Sequence, residues 1–179
     1  MDLFEPMTDI ALMLRVRDGN ENAFEALHER YQRKVIAFFY GMCRNPHSSN
    51  DLCQEVFLRI WKIRKRYQAT GSFPAYLFGV ARMVWHERQR QWWKETRLGA
   101  RTPLEETSVT ALGAAPDDAA ARNEMERELG RALEDLPEDQ RMVFVMRAIQ
   151  GLSLEDIAAA LDCPVNTVRS RKILAIKKL

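Results

Sequence analysis

The stretch Gly151-Leu152-Ser153-Leu154-Glu155-Asp156-Ile157-Ala158-Ala159-Ala160-Leu161-Asp162-Cys163-Pro164-Val165-Asn166-Thr167-Val168-Arg169-Ser170-Arg171 reads as two short helices with a break between them. Ser153 can cap the first helix, and Asp156 stands where a carboxylate reaches back to complete a capping box. Leu154, Ile157, Ala158 and Leu161 are spaced for one buried face. Asp162 and Cys163 form the break, and Pro164 suits the first position of a new helix. In that second helix Val165, Val168 and Ile176 are set to face inward. Asn166, Thr167, Arg169, Ser170, Arg171 and Lys172 are left for the outside. From Pro164 to Leu179 the chain carries five Lys or Arg and no Asp or Glu. Two short helices with a tight turn, the second one basic, describe a helix-turn-helix whose second helix can enter a DNA major groove.

Working outward, the 179 residues leave room for one or two small domains, and the 46% hydrophobic content is enough to fill their cores. No run of apolar residues is long enough for a membrane span. The acidic opening (Asp2, Glu5, Asp9) argues against a secretory leader. The sequence ends at Leu179, soon after the second helix, so no regulatory extension is expected. Cys43, Cys53 and Cys163 are odd in number and far apart, which fits reduced thiols in a cytoplasmic protein rather than a disulfide or metal site. The net charge of +2 hides a segmentation: −3 over residues 1–58, +9 over 59–101, −8 over 102–140 and +4 over 141–179. Two basic blocks separated by an acidic one suit a protein that touches nucleic acid at two places.

Nearly every segment has a helical period, and no strand alternation stands out. Thr8 to Asp18 predicts a short helix ended by Gly19. Phe24, Leu27, Tyr31, Val35, Phe38 and Met42 mark one long amphipathic helix. Residues 45–50 read as a turn cluster. A helix from about Ser49 to Arg66 follows, then a loop from Tyr67 to Ser72, then a helix from Pro74 to about Trp93. The stretch 96–121, with its Gly, Pro and small residues, reads as a flexible linker. Helix resumes near Arg122 with Met125, Leu129, Leu133 and Leu136 on one side, and Val143, Met146 and Ile149 pack before Gly151. The expectation is an all-α protein of two small helical domains, 5–95 and 122–179, joined by that linker.

Residues 57–93 hold nine of the sixteen aromatics and are densely basic. Cations attract the phosphate backbone, and aromatic faces stack on unpaired bases. The block therefore suggests single-stranded nucleic acid. Phe57 and Trp61, at i and i+4 on one helix, read as core. Trp85 suits either role. Tyr67, Phe73 and Tyr76 lie at or beside a loop, where packing and base contact both remain open.

Three pieces of this sequence together resemble bacterial sigma factors. Residues 51–59, Asp51-Leu52-Cys53-Gln54-Glu55-Val56-Phe57-Leu58-Arg59, resemble their core-polymerase-binding helix. Residues 72–82, from Ser72-Phe73-Pro74 to Ala81-Arg82, resemble the promoter-opening segment. Residues 136–141, 151–158 and 164–171 resemble the C-terminal DNA-binding domain, and the bare two-domain layout resembles the extracytoplasmic-function subgroup. The resemblance implies a region 2-like domain, a region 4-like helix-turn-helix domain and no catalysis, cofactor or metal. It implies core RNA polymerase (clamp and flap regions) and promoter DNA, duplex and single-stranded, as partners, with an anti-sigma protein as the usual control. It implies that Arg147, Pro164, Asn166, Thr167, Arg169, Ser170 and Arg171 meet the duplex minus-35 element. It implies Arg66, Tyr67, Phe73, Tyr76, Arg82 and Trp85 for the minus-10 strand, with a base flipped into a pocket. Asp51, Gln54, Glu55 and Phe57 would face the polymerase. Three positions depart from the family pattern: Met83 for a common Asn, Asn166 for a frequent Gly, and Tyr76 for the usual Trp.

The same C-terminal helices also resemble the DNA-binding end of response regulators. A stand-alone helix-turn-helix regulator is therefore the alternative, although it leaves the basic, aromatic block without a use. A helical adaptor would leave the recognition helix unexplained. The scattered His28, His47 and His86 and the lack of a nucleophile motif or phosphate loop give an enzyme no support.

Overall fold

The computed structural model describes residues 7–97 and 128–179, and every regular element among them is helical. α1 (Asp9–Arg17) is capped by Thr8, whose hydroxyl accepts from the Ala11 N–H. It ends at Asp18 and Gly19, the latter at φ +96°, where glycine costs nothing. α2 (Glu21–Cys43) starts on Asn20, whose side-chain oxygen accepts from the Ala23 N–H at 2.8 Å. Leu27, Tyr31, Val35, Phe38 and Met42 are all buried, as their spacing requires.

α3 (Pro46–Ile63) begins earlier than the sequence suggests. The Asn45-Pro46 pair that reads as a turn is a helix start instead. Asn45 accepts from the Ser48 N–H at 2.8 Å, and Pro46 occupies the first helical position, where its missing N–H costs nothing. A 3-10 turn, Arg64–Arg66, ends this arm. α4 (Phe73–Arg97) runs on past Trp93 and includes residues 96 and 97 of the expected linker. The rest of the linker, Arg122 and Met125 lie outside the described residues.

In the C-terminal part residues 128–134 are helical, followed by α5 (Glu138–Phe144), a π turn (Val145–Ile149), α6 (Leu154–Leu161) and α7 (Val165–Lys178). The Gln150 N–H reaches back five residues to the Val145 carbonyl at 3.1 Å, and Gly151 at φ +70° releases the chain. Leu133 and Leu136 are buried, but Leu129 is 40% and Ile149 42% exposed.

Two further expectations change. Ile176 is 56% exposed, while Ala175 is fully buried beside Leu133 and Leu136. From Val168 two helical turns land on 175, which is the position that faces inward. Ser153 does cap α6, accepting from the Asp156 N–H at 3.0 Å. The Asp156 carboxylate does not close the capping box, because it accepts the Ser72 hydroxyl of the N-terminal part instead.

That bond belongs to a seam. One buried cluster runs from Leu12 on α1 through Phe38, Phe78 and Val145 to Val168 on α7. α6 lies along α4, and α5 with its π turn lies along α2. Arg141 of α5 ties the two parts by donating to the Met42 carbonyl at 2.9 Å. Its other nitrogen donates to the Glu134 and Leu136 carbonyls at 2.9 and 3.1 Å.

Candidate nucleic-acid and polymerase interfaces

The tight turn before α7 depends on Asp162, which holds φ +50°, a left-handed conformation that Asp tolerates better than most residues. Pro164 is the cap residue, one position earlier than expected, and α7 starts at Val165. Val168 is buried against the rest of the fold. Asn166, Arg169 and Ser170 are exposed, and Thr167 and Arg171 are half-buried. The Arg169 guanidinium donates to the Asn166 side-chain oxygen at 2.9 Å, one turn earlier. This holds the guanidinium beside the helix start, where a major-groove helix meets base edges. Arg171 is engaged: it pairs with Asp139 of α5 at 2.5 Å and braces α7 on its neighbour. Arg147 is exposed on the π turn and donates to the Leu152 carbonyl at 2.7 Å.

The second site surrounds the loop before α4. A cavity of about 390 Å³ is lined by Tyr67, Gln68, Thr70, Ser72, Tyr76, Arg82 and Met83, and closed on one side by Ala159 and Ala160 of α6. The Tyr67 and Tyr76 rings meet edge-on, with centroids 4.9 Å apart. Both hydroxyls are buried without a partner. Burial pushes Tyr76 up to about 12, and raises Tyr67 too. A cavity with aromatic walls can take a flat ring. Phe73 is 1% exposed and packs edge-on against Tyr31, so it supports the loop from beneath. Trp85 is 2% exposed and its Nε1–H donates to Glu138 of α5 at 2.9 Å. Arg82 donates to the Leu161 carbonyl. Arg66 is exposed, and Arg64 stacks over Trp61 at 4.1 Å.

The third site is a face of α3. Asp51, Gln54, Glu55 and Leu58 fall at i, i+3, i+4 and i+7, and so share one stripe. Asp51 and Gln54 are exposed, and Leu58 is 53% exposed. Phe57 lies on the other side, 4% exposed, between Phe24 and His28. Arg59 donates to Glu55 at 3.1 Å and to Glu87 of α4 at 2.7 Å. That contact holds the Glu87 carboxyl below the usual carboxylate range. The groove between the helices, about 320 Å³, is lined by Asp51, Glu55, Glu87 and Arg88. A groove with three carboxylates, on the helix that also exposes Leu58, suits a basic protein surface. The sequence reading missed Leu58 and Glu87. Leu58 could have been found from its spacing to Asp51; Glu87 lies on another helix and has no local signal.

Comparison with known proteins finds one family for both parts of the chain. Residues 27–95 match the model of sigma-70 region 2, and residues 126–179 that of sigma-70 region 4. The ECF RNA polymerase sigma-E factor of Escherichia coli is 31% identical, over 93% of this chain and 90% of that protein. The RNA polymerase sigma-H factor of Pseudomonas aeruginosa is 29% identical, over 91% of this chain and 87% of that one. The fold is similar to that of the sigma factor RpoE of Bartonella quintana, solved with its anti-sigma factor NepR (TM-score 0.71, 21% identity, 87% of this chain and 92% of that one). It is also similar to CnrH, solved with the cytosolic domain of CnrY (TM-score 0.65, 24% identity, 95% of this chain and 93% of that one).

Proposed function

The chain belongs to the extracytoplasmic-function sigma factors and is an alternative sigma factor, and from that premise we propose how its surfaces divide the work of starting transcription. The α3 stripe of Asp51, Gln54, Glu55 and Leu58 docks on a basic, coiled-coil part of the polymerase clamp. The start of α7 reads the minus-35 duplex: Arg169 and Asn166 reach base edges, Thr167 and Ser170 touch the nearby backbone, and Arg147 meets a phosphate. The cavity between Tyr67 and Tyr76 receives one flipped base of the minus-10 strand, with Arg66 and Arg82 on the backbone. The parts 5–95 and 122–179 work as separate domains on the polymerase, joined by 96–121. The C-terminal part also meets the polymerase flap. The chain carries no catalysis, works where the polymerase is, in the cytoplasm, and is held in check by an anti-sigma protein. Among the described residues no helix is long and apolar enough to cross a membrane.

The observation that carries this reading is the pair of region matches, in order, on a chain whose recognition helix leaves Asn166, Arg169 and Ser170 exposed at its start. The test is co-elution of the chain with bacterial core RNA polymerase, without DNA, at moderate salt. A stoichiometric complex that Asp51→Lys or Glu55→Lys weakens is expected. No complex, together with tight duplex binding by the chain alone, would favour the stand-alone regulator instead.

A further inference from the structure

The two arginines near the start of α7 are not equivalent. Arg171 is engaged by Asp139 of α5 at 2.5 Å. Arg169 is exposed and pairs with no carboxylate among the described residues; one of its guanidinium nitrogens donates to the Asn166 side-chain oxygen at 2.9 Å. Asn166 and Arg169 stand at i and i+3 and are neighbours on one face of the helix. Arginine has donors only, so it is the oxygen of the amide that turns to it. Adenine is the base an asparagine usually reads, and the contact uses that oxygen and the amide N–H2 together. With its oxygen engaged by Arg169, Asn166 has only donors left to offer. The helix start therefore presents a guanidinium fork and an amide N–H2, with no Asp or Glu between Pro164 and Leu179. In the major groove guanine is the base that shows two acceptors, N7 and O6, side by side.

We propose that Asn166 is a positioning residue: it holds the Arg169 fork toward the groove, so that the start of α7 selects guanine rather than adenine at one position of the duplex element. The inference rests on the functional reading above and adds the base that this site takes. A free arginine loses several rotatable bonds when it grips a base, and one already tied at its tip loses fewer. The remaining fork nitrogens then meet N7 and O6 together, which favours guanine by at least about fivefold over another base. Loss of the Asn166 bond leaves the fork present but unheld, so the guanine preference should fall several-fold rather than vanish. Asn166→Asp keeps the acceptor and strengthens it by its charge, so the preference should persist. The added carboxylate repels the phosphates and weakens binding to every sequence alike.

The test uses the full chain with bacterial core RNA polymerase and a DNA pool that has a pre-melted segment and randomised duplex upstream of it. The retained DNA is sequenced for the parent, Arg169→Ala, Asn166→Ala and Asn166→Asp. The parent should enrich guanine over adenine by at least about fivefold at one upstream position, and Arg169→Ala should erase that enrichment. Asn166→Ala should cut it several-fold, and Asn166→Asp should keep it while retaining less DNA of every sequence. A pool in which 7-deazaguanine replaces guanine should lose the enrichment, since N7 is gone. Adenine at the position that depends on Asn166 would overturn the proposal. So would a guanine preference that Asn166→Ala leaves intact, or that 7-deazaguanine shares. DNA retained without any upstream preference would overturn the reading of α7 as a base-reading helix, and this proposal with it, while co-elution with the polymerase would still stand.

Discussion

Gly41 sits inside α2 and faces the π turn of the C-terminal part. A methyl group there would lie 2.9 Å from Val145 Cγ2, 3.1 Å from Val145 Cγ1 and 3.6 Å from Ile149 Cδ1. Gly41→Ala therefore sets two effects against each other. On an unobstructed helix it stabilises by about 0.5–1 kcal/mol, because glycine loses more freedom on folding. Here the new methyl overlaps a β-branched side chain that cannot rotate away, and such overpacking costs about 1–3 kcal/mol. The net expectation is destabilisation by up to about 2 kcal/mol. Val145→Ala alone costs about 1.5–2.5 kcal/mol in lost burial and cavity. In that background the obstruction is gone, and Gly41→Ala should stabilise. The sign reversal corresponds to a coupling of about 1–3 kcal/mol, read from urea unfolding of the four chains. If Gly41→Ala stabilises the parent and the Val145→Ala chain alike, α2 and the π turn do not touch in solution and the seam is wrong.

Three other expectations follow from the geometry. Arg141→Ala should destabilise by about 2–4 kcal/mol in urea, since it leaves carbonyls at Met42, Glu134 and Leu136 unpaired. Arg141→Lys should recover little, because one ammonium does not reproduce a planar fork. Cys53 is 4% exposed and burial pushes its thiol up to about 12, so a thiol reagent at mild pH should leave it untouched until denaturant is added; rapid labelling of Cys53 in the native chain would contradict its placement. Tyr76 is neutral in the fold up to about 12 against an ordinary 10, so its share of stability is complete below pH 10 and is lost as pH rises toward 12. The unfolding free energy should fall across that window, and Tyr76→Phe should flatten the fall; an unchanged slope would refute the burial of that hydroxyl.

Helix punctuation was legible from the chain because caps act locally. Thr8, Gly19, Ser153 and Gly151 do in the structure what their residue types allow anywhere. Asn45-Pro46 misled because the same two residues serve turns and helix starts, and only the burial of the following face decides between them. Ile176 misled because hydrophobicity outweighed phase: the period points to 175, where Ala175 is buried beside Leu133 and Leu136. The candidate surfaces could be read where they lie on one helix, as at Asn166 and Arg169 or at Asp51 and Glu55, whose placement on a shared face follows from spacing alone. They could not be read where partners meet from distant parts of the chain. Asp156 could be read only as a cap until Ser72 appeared beside it. Trp85 stayed open between core and contact until Glu138 was seen to accept from it.

The contacts between α4 and α6 join two parts of one chain, and this gives them a property that contacts between separate molecules lack. A tethered group faces its partner at an effective concentration fixed by the chain, on the order of millimolar for short flexible connections. Dilution leaves that value untouched, and so does making more copies. A separate partner is titrated by each new molecule it must meet, whereas every copy of this chain brings Glu138, Asp156 and Leu161 with it in a ratio of one to one. Contacts that arise this way do not depend on dose, and whatever parts them must act on each molecule individually.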